Sequence, residues 1–181
     1  MRVEKRIIGA ARNGGALCAR GDVLAFVDAD SRIHPETFNA IDSAFATGRF
    51  VGGATGVRME RMSPGIGMTY LLLLPFVWIT GMDTGVVFCR REDFEEVEGY
   101  PEDRLFAEDV GFLFRLARLG RRRGQRLTRL RRAKAVASAR KFDRHGDWHY
   151  FLLIARVLWS SLLSRRALEK FARDYWYLPG R

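Results

Sequence analysis

The sequence predicts an α/β domain: a mainly parallel β-sheet flanked by helices, with a helical carboxyl-terminal segment after it. Short apolar runs rich in Val, Phe and Gly alternate with longer segments of helical character. Turn residues such as Gly21-Asp22 and Gly48 separate them. At 181 residues the chain is long enough for one packed core, and no repeat or linker interrupts it.

Glu4 to Ile8 has the composition of a short strand. Ala10 to Arg20 is small and Ala-rich, as suits a helix pressed closely on a sheet. Val23 to Val27 is a continuous apolar run, the pattern of a strand buried on both faces. His34-Pro35-Glu36 opens a helix that runs to about Ala46 and stops at Gly48. Phe50 to Val57 and Asp83 to Arg91 are strand segments. Arg91 to Val97 is a short helix closed by Gly99, and Glu108 to Leu119 is a longer one ending at Gly120. Ala133 to Ala139 is the last strand, and from Trp148 the chain reads as helical to about Tyr175.

The net charge is +10, concentrated from Arg115 to Lys134, where ten basic residues occur with no acidic one. Such a block calls for an anionic neighbour or is a solvated helix end. No stacking platform or recognition motif accompanies it, so no nucleic acid is expected. Cys18 and Cys89 stand far apart, without metal-ligand spacing, and are expected as reduced thiols in a cytoplasmic protein. Ser63 to Met82 is uncharged but interrupted by Pro75, and its apolar centre is short for a spanning helix, so it reads as core or interfacial.

Asp28-Ala29-Asp30 directly follows the apolar run, which sets two carboxylates at the carboxyl end of a strand, the edge where open α/β sheets bind ligands. Spaced i and i+2 on an extended segment, they point the same way and can share one hard divalent cation, Mg²⁺ or Mn²⁺, that neutralises a diphosphate. Glu108-Asp109 opens a helix. Either residue caps it, or one serves as the general base that deprotonates an attacking hydroxyl. Arg12 is placed to reach a phosphate or a loop carboxylate. Arg140, Lys141, Arg144 and His145 cluster near a strand end, where they can grip a leaving diphosphate, with His145 a candidate third metal ligand.

The run Ala11-Arg12-Asn13, Gly15, Ala19, Gly21-Asp22, Leu24, Phe26 and Asp28-Ala29-Asp30, followed by Gly85 to Arg91, Gly99-Tyr100, Glu108-Asp109 and Arg115-Leu116, resembles glycosyltransferase family 2. The resemblance implies a Rossmann-like GT-A fold and metal-dependent, inverting transfer from a UDP- or GDP-sugar to a sugar or lipid-linked acceptor. It implies Asp28 and Asp30 as the metal and diphosphate motif, with Asp30 the direct ligand, and Asp109 as the base. Arg140 and Lys141 then line the loop closing over the donor. The family's opening strand and the Asp that binds the base are not found in the eleven residues before Arg12, so the sheet is expected to be truncated at its amino end. The alternative function is an incomplete or inactive relative that survives as a binding module.

Two parts are expected: residues 1–147 as the partial GT-A domain and 148–181 as an amphipathic helical segment. Its apolar residues from Trp148 to Leu163, with Arg156, Arg165, Arg166, Lys170 and Arg173 beside them, suit a peripheral position on the inner face of the cell membrane, packing on the domain, or a homodimer contact.

Overall fold

The computed structural model describes residues 5, 7–80, 85–103 and 108–154. Its elements are α1 (Ile8–Cys18), β1 (Val23–Phe26), β2 (Ser31–Arg32), α2 (Thr37–Ala46), β3 (Phe50–Met59), α3 (Pro64–Thr80), β4 (Val87–Arg90), α4 (Arg91–Glu96), α5 (Glu108–Arg122), β5 (Arg126–Ala137) and α6 (Arg140–His145). Residues 149–154 form a further helical turn. The rest of the expected carboxyl-terminal helix lies outside the described residues. Of the expected first strand, Glu4 and Arg6 lie outside the described residues, Lys5 and Ile7 lie in bends, and Ile8 opens α1.

The five strands form one sheet in the order β1-β4-β3-β5-β2. The α/β class holds, but the sheet is mixed and not mainly parallel. Only β3 and β5 pair in parallel, while β1–β4, β4–β3 and β5–β2 are antiparallel. The cause is α3. A parallel connection needs a crossover that carries the chain back to the strand's starting edge. Here β4 begins on the side where β3 ended, and it runs down between β1 and β3. It follows that β1, β3 and β5 share one direction, and the carboxyl ends of β1 and β5 lie on the same edge of the sheet.

Alternation along β4 assigns the two faces. Val87 and Cys89 join a core with Ala16, Leu24, Val51, Phe94, Phe112, Leu113 and Leu116, which packs α1, α4 and α5 on one side. Phe88 points the other way, onto Ile41 and Phe45 of α2. A third, smaller cluster joins Met59, Ile66, Ala139 and Phe142 beneath α3 and α6. In β1 only Leu24 is fully buried, contrary to the expectation of a strand buried on both faces. As the terminal strand of the described sheet, β1 has neighbours on one edge only.

Two boundaries moved for identifiable reasons. Gly120 does not end α5. It lets the helix approach β3, since a Cβ there would lie 2.8 Å from Val51 Cγ1, and the helix runs on to Arg122 before Gly124 turns with φ of 69°. Strand β5 starts at Arg126, well before the expected Ala133, and absorbs half of the basic block.

Candidate active site

Helix α1 is built to sit close. Gly9 approaches Pro101 so nearly that a Cβ would come within 2.7 Å of its carbonyl oxygen. Asn13 then ties α1 to the same loop twice: its amide donates to the Tyr100 carbonyl (3.0 Å), and its oxygen accepts from the Tyr100 N–H (2.8 Å). Gly99 supplies the left-handed turn (φ 61°) that presents Tyr100 to Asn13. One residue earlier on α1, Arg12 is thereby fixed between the end of β1 and the start of α5.

Arg12 is the hub. Its guanidinium donates to Glu108 (3.2 Å), to Asp109, and through the other nitrogen to Asp28 (2.9 Å). It also lies over the Tyr100 ring, 5.1 Å from the centroid, and Tyr100 stacks on Phe112 at 4.3 Å. Burial works against the Arg12 charge, but the surrounding negative charge, led by Asp109, outweighs it and holds the proton more firmly than usual. Burial pushes the Asp109 carboxyl above the usual carboxylate range, with Arg12 pulling against it and Asp28 adding to it. Burial and the adjacent Asp109 raise Glu108 in the same direction. The Tyr100 hydroxyl lies near Asp109 without forming a well-shaped hydrogen bond, and burial keeps the phenol neutral.

The acidic triplet is not extended. It is a turn closed by the Ser31 N–H donating to the Asp28 carbonyl (3.0 Å), because the chain reverses there into β2. The two carboxylates consequently meet different arginines: Asp28 faces Arg12, and Asp30 accepts from Arg140 at 3.2 Å. Arg140 arrives from the end of β5, as the common strand direction requires. Lys141 follows it in α6. His145, at the end of α6, stacks on His149 at 4.8 Å, and no group of three or more potential metal-ligating side chains is gathered among the described residues. The common direction expected of an extended Asp28 and Asp30 is therefore not observed, though each carboxylate by itself is of the type a hard cation takes. Both are partly exposed carboxylates (53% and 40%), and Mg²⁺ is usually held by one or two carboxylates, with water and phosphate completing its shell.

Two hollows flank the triplet. A groove of about 630 Å³ runs between α1 and β1, with Arg12, Asp28 and Phe38 on its wall. A smaller one of about 310 Å³ is lined by Asp30, Arg32, Glu60 and Ser138 and crossed by the Arg32–Glu60 ion pair (2.8 Å). The roles of Asn13, Tyr100, Arg32 and Glu60 were not legible as site features. For Asn13 and Tyr100 the available signal was their place in the Arg-Asn and Gly-aromatic motifs.

Residues 1–71 match the family model for glycosyl transferase family 2. No curated protein matches the chain. The matched residues include Arg12, Asp28 and Asp30 but stop before Glu108 and Asp109, which the Arg12 contacts join to them. The match covers 71 of the 181 residues and supports a glycosyltransferase family 2-like domain, with which the mixed α/β fold is consistent.

Proposed function

We propose that this domain transfers a sugar from a nucleotide-diphospho-sugar, UDP- or GDP-linked, to an acceptor hydroxyl with inversion, and that Asp109 is the general base. The observation carrying this reading is the Arg12 bridge, which holds a buried carboxylate at the start of α5 beside the acidic turn at the end of β1. Asp28 and Asp30 would hold Mg²⁺ or Mn²⁺, which screens the diphosphate and stabilises it as a leaving group. Arg140, already at Asp30, would add positive charge for the leaving diphosphate, and Lys141 follows it in the sequence. Asp109 would accept the proton of the attacking hydroxyl, with Arg12 opposing the cost of burying its charge. A single displacement needs no covalent enzyme intermediate.

Calorimetry with UDP and GDP, with and without Mn²⁺, tests the donor half of the reading. Binding should require the metal and vanish in Asp30→Asn. Affinity that is unchanged in the variant or without metal would refute the assignment. A second reading, a binding module without turnover, is favoured by the clamping of Asp109 on Arg12. Metal-dependent binding with no transfer or hydrolysis from a panel of nucleotide sugars would establish it instead.

A further inference from the structure

Helix α3 has no water-loving side. From Pro64 to Thr80 it carries no charged residue. Its inner face is accounted for: Ile66 and Tyr70 pack on the Met59–Phe142 cluster, and Gly65 is so close to residue 147 that a Cβ would lie 2.7 Å from the Asp147 carbonyl oxygen. The outer face is Met68, Leu71 and Leu72, at helical spacing, with Leu71 61% exposed. Leu73 joins it, and Trp148 and Leu152 stand exposed on the adjoining turn. A helix facing water carries polar residues on that side, and an apolar patch of this kind marks a contact surface.

We propose that this surface docks on an anionic lipid bilayer, with α3 lying in the plane of the interface. Its 17 residues span about 25 Å, and no described helix is long and apolar enough to cross a membrane. The rim is cationic. Arg58, beside Met59 of the cluster under α3, is exposed, while Asp143 and Asp147 are held by Arg61 at 2.6 and 2.7 Å. The sequence that follows, 155–181, adds six basic residues against two acidic ones. A chain of net charge +10 repels its own copies and is drawn to anionic headgroups, which favours lipid over a second copy as the occupant. Trp148 supplies an aromatic of the type enriched at headgroup depth. Helix α3 leaves the same sheet edge from which Arg140 reaches Asp30, so docking sets the acidic turn near the headgroups, where a lipid-linked acceptor presents its hydroxyl. That last consequence rests on the transferase reading, and the docking does not.

The test is flotation of the full chain with phosphatidylcholine vesicles, with and without phosphatidylglycerol, at low and high salt. The chain should float with the anionic vesicles, less so at high salt. Leu71→Gln/Leu72→Gln should lower partitioning about tenfold or more while circular dichroism and metal-dependent nucleotide binding stay unchanged. Should the double variant lose its fold, Leu71→Gln alone, at the most exposed position, is read in the same way. Failure of the unaltered chain to float overturns the proposal, as does flotation of the variant equal to that of the unaltered chain. A dimer seen by light scattering that the double variant dissolves also overturns it, in favour of a second copy. Failed nucleotide binding with intact flotation sinks the transferase reading alone.

Discussion

Replacing Arg12 by Met keeps most of the volume of the side chain and removes the charge that three carboxylates share. The consequence can be worked through partner by partner. Asp28 is 53% exposed and rehydrates, so its loss of a partner costs little. Glu108 and Asp109 are only 10% and 15% exposed and cannot do the same. Each is left as a poorly solvated charge, and breaking such a buried pair costs about 2–4 kcal/mol in total at neutral pH. The cost should depend on pH with a definite sign. Both carboxyls already titrate above their ordinary range in the folded state, burial being the main cause. Without Arg12 they move higher still. Groups whose folded pKa is raised favour the folded state at low pH and lose that contribution as pH rises through the folded value. The deficit of Arg12→Met relative to the unaltered chain should therefore shrink as pH falls from 7.5 toward 5. Urea denaturation followed by circular dichroism at both pH values measures it. A loss below about 1 kcal/mol, or one of equal size at both pH values, would show that Arg12 is not the counter-charge of a buried carboxylate pair.

Three further outcomes follow from the same geometry. Asp109→Asn should lower kcat by about two to four powers of ten with little change in donor affinity, whereas Glu108→Gln should be milder; a reversed ranking in steady-state assays moves the base to Glu108. Since the base must be ionised and burial raises Asp109, the acidic limb of the kcat/KM–pH profile should lie above the ordinary carboxylate range, and a limb near pH 4 would contradict it. Gly99→Ala should cost about 1–3 kcal/mol in thermal or urea unfolding, because its φ of 61° is left-handed and the new Cβ would meet Asn13 Oδ1 at 2.7 Å.

The legible parts of the molecule were those where polarity changes abruptly along the chain. Asp28 and Asp30 stand out because carboxylates follow an apolar run directly, and Glu108-Asp109 because they open a helix with a clear apolar face. Strand direction was not legible, since an apolar run looks the same read either way. The antiparallel insertion of β4 therefore had to come from the structure. Arg12 was recognised as a phosphate or carboxylate ligand, but choosing between them required knowing that α5 starts beside it, and those residues are nearly a hundred positions away. The start of β5 was masked by charge. Arg126-Leu127-Thr128-Arg129-Leu130 carries a partial strand alternation beneath its arginines. In the sequence Gly120 has the look of a stop because glycine closes many helices, and only the proximity of Val51 shows its other use.

The parallel pairing of β3 with β5 has a consequence for how the chain assembles. Its register joins Phe50 to Arg126 and Met59 to Ala137, so two long strands must wait for everything between them to be synthesised before they can meet. Pairings of such wide sequence separation close slowly, on the order of milliseconds to seconds in isolated domains. On the ribosome, β3 emerges with one side of its ladder unsatisfied and stays so until β5 arrives. The Asp30–Arg140 contact can form only after that closure, because Arg140 rides on the end of β5. The Arg12-to-α5 bridge needs no residue beyond α5, whereas the Arg140 side of the acidic turn needs β5 in place, and a stall before β5 would leave a half-built sheet open to strand exchange with another nascent chain.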